Sequence, residues 1–188
     1  MIDEAHATGV IGKTGHGTVE HFGNTVRPDI SQWVQLKQST RREGGYACAS
    51  KVVIEYLKNK ARSFIFATSQ IPATLAAALR ATEVLEEEPQ RAQNLQHNVE
   101  FFLNALHAEG VEAYSPTAII PIIIGDEKSA LQVADELLAN GVLAPAIRYP
   151  TVAKGTARLR VALMATHTEA ELSQTAKLIG AAIRKYKK

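Results

Sequence analysis

Apolar positions along the chain fall into two periods, and the change from one to the other marks its elements. Leu95, Val99, Phe102, Leu103 and Leu106 recur at helical spacing, so the sequence predicts a helix over 92–109 that Gly110 stops. Before it, the Ala- and Leu-rich stretch 73–88 reads as a helix opened by Pro72 and broken at Pro89. The continuous run Ala118-Ile119-Ile120-Pro121-Ile122-Ile123-Ile124 has the length of a buried strand, and its proline places it near an edge or a bulge. Asp126 is placed to cap a helix that runs to about Asn140 and ends at Gly141, and strands follow over 142–147 and 158–163. Thr168 and Glu171 form a capping box for a last helix whose apolar face is Leu172, Ala176, Ile179 and Ile183.

The order after residue 90 is therefore helix, strand, helix, strand, strand, helix, which is a small α/β domain. Upstream the pattern is less regular. Residues 1–30 read as a strand end followed by a loop punctuated by Gly9, Gly12, Gly15, Gly17 and Gly23. A short helix is expected over 52–61, and Ser63-Phe64-Ile65-Phe66-Ala67-Thr68 has the aromatic and β-branched density of a buried strand. The division expected is a partial cofactor-binding domain over 1–88 and a small C-terminal α/β domain over 89–188.

Composition removes several function classes. With 188 residues, 46% hydrophobic and 21% charged, the usage is that of a globular protein, and the net charge of +2 is spread without a basic stripe. The one basic cluster, Arg184 to Lys188, reads as a solvated helix end, so no nucleic-acid partner is expected. No apolar run reaches membrane-spanning length and no basic-then-apolar leader precedes the first strand, so the expectation is a cytoplasmic protein without a membrane partner. The single cysteine, Cys48, rules out an intrachain disulfide and reads as a small buried hydrophobe. No metal site is expected.

The chemistry concentrates in Asp3-Glu4-Ala5-His6-Ala7-Thr8-Gly9. An acid and an imidazole three residues apart, where a strand spills into a Gly-rich loop, suit a heteroaromatic cofactor. The acid would keep a pyridine nitrogen protonated and the histidine would touch a ring substituent. A chain beginning inside such a site is expected to lack the first half of its fold. The glycine spacing is not a phosphate-binding fingerprint, because no crossover strand and helix flank it. Further islands are Ser63 to Thr68 with Pro72, and Arg148-Tyr149-Pro150-Thr151-Val152 followed by Gly155-Thr156-Ala157-Arg158-Leu159-Arg160. By themselves Arg158 and Arg160 alternate as in any half-exposed strand, and Lys154 reads as a loop-surface charge.

Asp3-Glu4-Ala5-His6-Ala7-Thr8-Gly9, Glu43-Gly44-Gly45-Tyr46, Arg62-Ser63-Phe64-Ile65-Phe66 and Gly155-Thr156-Ala157-Arg158-Leu159-Arg160, in this order, resemble the signatures of the α-oxoamine synthases. These are fold-type I pyridoxal-phosphate enzymes that condense an amino acid with an acyl thioester. The resemblance implies an α/β fold corresponding to the C-terminal half of such a transferase: the end of the large domain and the small C-terminal domain. It implies pyridoxal 5'-phosphate as cofactor, with Asp3 paired to its pyridinium nitrogen, His6 bonded to its ring oxygen, and Thr68 reaching the phosphate of a neighbouring subunit's cofactor. Arg160 is implied to bind the amino-acid carboxylate, and Thr151 to lie against the substrate. A planar guanidinium suits that carboxylate bidentately. The substrates implied are L-alanine and a pimeloyl thioester, with glycine and an acetyl thioester as the alternative pair, and the whole parent protein is expected to be a homodimer.

One family feature is missing. The Schiff-base lysine is expected in a Thr-x-Ser-Lys-Ala-Leu-Gly-like stretch shortly before Glu43, but Ser31-Gln32-Trp33-Val34-Gln35-Leu36-Lys37-Gln38-Ser39-Thr40-Arg41-Arg42 stands there instead. Lys37 falls one residue from the family's position, so it is a candidate for a displaced Schiff-base lysine, although it reads better as an ordinary exposed lysine. Misplacing a reacting group by about 1 Å already costs much of a positioned site's rate, so little or no catalysis is expected. Non-catalytic readings, an inert product or a binding subunit for an intact relative, follow from the same gap. A shifted reading frame would account for it. If Gln32 to Gln35 were encoded CAA-TGG-GTA-CAA, another frame would contain ATG-GGT-ACA, which reads Met-Gly-Thr. If Leu36 to Arg41 were encoded CTT-AAG-CAA-AGC-ACT-AGG, the remaining frame would contain TTA-AGC-AAA-GCA-CTA, which reads Leu-Ser-Lys-Ala-Leu. Sequencing the gene is expected to find these out-of-frame codons, and their absence would remove the frame-shift account.

Overall fold

Strand β6 (Ala157–Ala162) organises the second half of the chain by strict alternation: Ala157, Leu159 and Val161 are buried, while Arg158, Arg160 and Ala162 lie on the other face. In a computed structural model of the chain, which describes residues 2–23, 32–35 (backbone only) and 45–186, β6 lies between β4 (Ile119–Gly125) and β5 (Ala146–Ile147). It runs antiparallel to both. Ile120 sits across from Val161 and Ile122 across from Leu159, so their side chains share the buried face. Pro121 is accommodated because β4 is an edge strand, where a missing N–H breaks no ladder.

Helix α6 (Glu127–Ala139) covers this sheet with Ala130, Val133 and Leu137, and α7 (Glu169–Tyr186) packs on α6 through a face that includes Leu172, Ala176 and Ile179. Both helices start as the sequence predicts. The Asp126 carboxylate accepts the Ser129 N–H at 2.8 Å. At α7 the Thr168 N–H donates to Glu171 Oε2 at 2.8 Å and the Glu171 N–H donates to Thr168 Oγ1 at 3.3 Å. Helix α5 (Gln90–Ala108) adds Phe102 and Leu106, both fully buried, and its Asn98 amide donates to the carbonyls of Met164 and His167, fixing the turn before α7.

The strand predicted over 142–147 is shorter, reduced to Ala146–Ile147. Pro145 explains the loss: its carbonyl accepts the Arg160 N–H at 2.9 Å, but it has no N–H to return, so the ladder stops there.

The chain divides into two compact units, 1–93 and 94–188, with the boundary in the first turns of α5. In the first unit β1 (Ile2–Asp3) pairs in parallel with β2 (Gln32–Gln35), and β3 (Gly45–Cys48) pairs with β2 antiparallel. Helix α1 (Thr18–His21) follows the Gly-rich loop; α2 (Lys51–Lys60), α3 (Arg62–Ile65) and α4 (Pro72–Glu87) follow β3.

The strand predicted over 63–68 is not formed. One residue after α2 ends, the amides of Phe64, Ile65 and Phe66 are taken by the carbonyls of Ala61 and Arg62, which leaves them unavailable to a sheet. Phe64 and Phe66 are exposed, as are Val52, Tyr56, Ile71, Leu75 and Leu79 on the neighbouring helices. Cys48 is exposed as well, contrary to its sequence reading, because β3 is an edge strand.

Leu159→Ala is expected to destabilise the chain by about 2–5 kcal/mol, read by denaturant unfolding, because no solvent reaches the side chain it empties. The two caps should show in the pH dependence. Hydrogen bonds from the Ser129 amide and hydroxyl hold Asp126 below its ordinary value of 3.8, and those from the Thr168 amide and hydroxyl hold Glu171 below 4.5. Their stabilisation is complete above those values and is lost as pH falls through the folded-state values. Asp126→Asn and Glu171→Gln should therefore lower the melting temperature at pH 7, with a difference that shrinks toward pH 3.

Candidate active site

Asp3 ends β1, and the chain turns immediately after it. Asp3 Oδ1 accepts the Ala5 N–H at 2.8 Å, and the Glu4 carbonyl accepts the N–H groups of Ala7 and Thr8. This tight turn puts the exposed carboxylate of Asp3 and the exposed imidazole of His6 on one short stretch at the carboxyl end of a parallel strand pair, where α/β sheets place their ligands. Ala5 and Ala7, on either side of His6, are buried and anchor the turn.

The loop beyond is compact. The Gly9 N–H donates to the Gly15 carbonyl at 2.7 Å and the Gly17 N–H to the Ile11 carbonyl at 2.9 Å. Two acids face into it. Glu4, 1% exposed, accepts the Thr18 N–H on Oε2 at 2.9 Å, and its Oε1 has no hydrogen-bond partner among the described residues. Glu20 accepts from the Thr14 hydroxyl at 2.8 Å, from the Thr14 N–H at 3.0 Å and from the His16 N–H at 2.9 Å. Desolvation pulls the Glu20 carboxyl upward, but these bonds outweigh it and hold the group below its ordinary range. Gly12 and Gly17 have positive φ, and a Cβ on either would collide with the carboxylates of Glu20 and Glu4 respectively. On β3, burial pushes the Tyr46 phenol up, with the charges of Cys48 and Glu4 adding to the effect.

The other expected site residues lie on separate elements. Thr68 is exposed between α3 and α4 in the first unit. In the second unit Arg160 is exposed on β6, two residues from a half-buried Arg158 whose Nε donates to the Thr156 carbonyl at 3.0 Å. Thr151 is exposed in the β5–β6 connection, where its N–H donates to the Arg148 carbonyl at 3.0 Å, just after a cis Tyr149–Pro150 bond. Lys154 is exposed as expected and lies 5.2 Å from the centre of the Tyr149 ring. Lys37, with the segment that should carry the Schiff-base lysine, lies outside the described residues. The structure thus brings Asp3 and His6 onto one turn and puts the two substrate candidates, Thr151 and Arg160, on the sheet unit. The sequence reading missed Glu4 and Glu20. Their signal was present as glycines paired with nearby acids, Gly12 with Glu20 and Gly17 with Glu4.

Among the described residues, no group of three or more His, Cys, Asp or Glu side chains is placed to hold a metal ion, and no helix is long and apolar enough to cross a membrane. An exposed carboxylate and an imidazole at the end of a strand fit the donor needs of a pyridine ring with a phenolic oxygen.

The chain belongs to the aminotransferase class I and II family, whose pattern matches residues 1–179. Its relatives place it among the α-oxoamine synthases. It is 47% identical over 180 residues to 8-amino-7-oxononanoate synthase 1 of Bacillus subtilis, covering 95% of this chain and 46% of that protein. It is 41% identical over 174 residues to 8-amino-7-oxononanoate synthase of Symbiobacterium thermophilum, covering 92% and 44%. The chain spans about half the length of the curated relatives it matches. Among solved structures, 8-amino-7-oxononanoate synthase of Francisella tularensis superposes with a TM-score of 0.83 at 29% identity, over 97% of this chain and 54% of that one. A point variant of serine palmitoyltransferase from S. paucimobilis, solved with a PLP–myriocin aldimine bound, superposes with a TM-score of 0.89 at 26% identity, over 98% and 47%.

Arg160 is exposed, and its loss should leave the fold intact. Arg160→Ala is expected to change unfolding free energy by no more than about 0.5 kcal/mol, in contrast to its neighbour Leu159. A larger change would assign Arg160 a structural role.

Proposed function

We propose that the chain carries the C-terminal part of a pyridoxal-phosphate-dependent C-acyltransferase. The reaction would join L-alanine to a pimeloyl thioester, with release of carbon dioxide and the free thiol, to give 8-amino-7-oxononanoate. The observation that carries this reading is the Asp3–His6 turn at the carboxyl end of β1. Identity of 41–47% to relatives named for that product supports the choice of substrates. On this reading residues 1–88 belong to the cofactor-binding domain and 89–188 form the small domain. The whole protein acts as a cytoplasmic homodimer.

Each residue's part follows from its chemistry. When bound, pyridoxal phosphate supplies the electron sink that stabilises a carbanion. Asp3 holds a proton on the ring nitrogen and so keeps that sink effective. His6 donates to the ring oxygen, Thr68 binds the phosphate of the neighbouring subunit's cofactor, Arg160 pairs with the amino-acid carboxylate, and Thr151 lines the substrate pocket. The anchoring lysine is the part the sequence lacks in its expected place, with Lys37 a displaced substitute, so the chain as it stands is proposed not to turn over.

Incubation with pyridoxal phosphate, reduction with borohydride and peptide mapping test this. The expected result is no specific adduct at Lys37 and no product from L-alanine and a pimeloyl thioester. A specific Lys37 adduct together with product would overturn the inactivity, and binding of the cofactor that Asp3→Asn leaves unchanged would overturn the assignment of Asp3.

A further inference from the structure

The two carboxylates that face into the Gly-rich loop take no part in the reaction described above. Each is nevertheless engaged with main chain at a place where a side chain has been given up. Glu4 lies next to Asp3 in sequence, is buried, and joins the end of β1 to the first amide of α1 fourteen residues on. Glu20, from α1, gathers Thr14 and His16, and Thr14 Oγ1 in turn lies 2.6 Å from His16 Nδ1. Because the hydroxyl proton of Thr14 points to Glu20, its lone pair accepts from His16 Nδ1–H, which fixes that ring's tautomer. Gly15 closes the loop on the first unit's own helices, where a Cβ would sit 3.1 Å from both Leu85 Cδ1 and Ala92 Cβ.

We propose that Glu4 and Glu20 are positioning residues: together they clamp the 9–17 loop and thereby hold the Asp3–His6 turn in the geometry the cofactor ring needs. This rests on the cofactor reading given above. The mechanical path is short. Glu20 fixes Thr14 to His16, the Gly15 carbonyl between them holds the Gly9 amide, and residues 4–9 form one hydrogen-bonded turn with Asp3 at its start. At the other end Glu4 ties that turn directly to Thr18. Neither acid reaches a reacting atom; both act by restricting a loop whose glycines would otherwise leave it many conformations.

The test is amide hydrogen exchange on the full chain, comparing wild type with Glu4→Gln, Glu20→Gln and, as a control in the other unit, Glu136→Gln. Loss of the clamp at Thr14, His16 and Thr18 is expected by construction. The informative amides are Ala5, Ala7 and Thr8, which neither carboxylate touches, Ala7 and Thr8 being bonded to the Glu4 main-chain carbonyl that the Gln variants keep; they should exchange roughly tenfold faster in both loop variants but not in the control. Wild-type rates at those three amides, with faster exchange confined to residues 14–18, would overturn the proposal. Should either Gln variant fail to fold, Thr14→Ala keeps both carboxylates and asks the same question with a smaller expected effect. Adding pyridoxal phosphate to wild type separates this result from the reading beneath it. Protection of Ala5 to Thr8 that Asp3→Asn abolishes supports the cofactor site. No such protection overturns the cofactor reading while the exchange rates measured without it still decide the clamp.

Discussion

A carboxylate that accepts a main-chain amide in a place no solvent reaches is the contact on which the first unit depends. Glu4 is 1% exposed, its Oε2 accepts the Thr18 N–H, and its Oε1 has no hydrogen-bond partner among the described residues, so that one amide is what offsets the burial of the group. The requirement runs outward from there. Thr18 must sit at the start of a helical turn to offer its amide, Gly17 must lack a Cβ to let the oxygen in, and the loop between must be short and folded back on itself. The turn that carries Asp3 and His6 begins at the residue before Glu4, so the same carboxylate stands at the junction of turn and loop.

The two units are stabilised differently. The second encloses Phe102, Leu106, Ile120, Ile122, Leu159 and Ile179 in a layer between sheet and helices, with both caps and the Asn98 bonds closing its edges. It is an ordinary hydrophobic core. The first buries mainly alanines and Val19 among its described apolar residues, and relies on directed hydrogen bonds for its shape. Polar contacts specify geometry well but contribute little net free energy each, which suits a segment whose task is to present two side chains.

The difference also decides what could be read in advance. Periodicity located α5, the apolar face of α7 and the alternation of β6, an unbroken apolar run located β4, an Ala- and Leu-rich stretch between two prolines located α4, and the caps at Asp126 and Thr168 named their own helix starts. The Phe64–Phe66 segment misled because β-propensity is largely a preference for a packed surface, and without a partner strand the local i−4 bonds took over. Pro145 shortened β5 through a donor it lacks, a signal visible in the sequence but outweighed there by the apolar run around it. Of the candidate site, the spacing of three residues singled out Asp3 and His6, which the structure sets on one turn. Glu4 and Glu20 were passed over, since their partners are main-chain amides and one threonine hydroxyl, and the glycines paired with them acquire meaning only once the fold brings each pair together.

The apolar side chains that α2, α3 and α4 turn outward have a consequence of another kind. Val52 is 80% exposed and Phe66 77%, on a chain whose net charge is only +2, so little electrostatic repulsion opposes attraction between like patches. That attraction strengthens with concentration and with strongly excluded salts such as sulfate, which raise the free energy of wetted hydrocarbon. The polypeptide's behaviour as a colloid is thereby written on three successive helices.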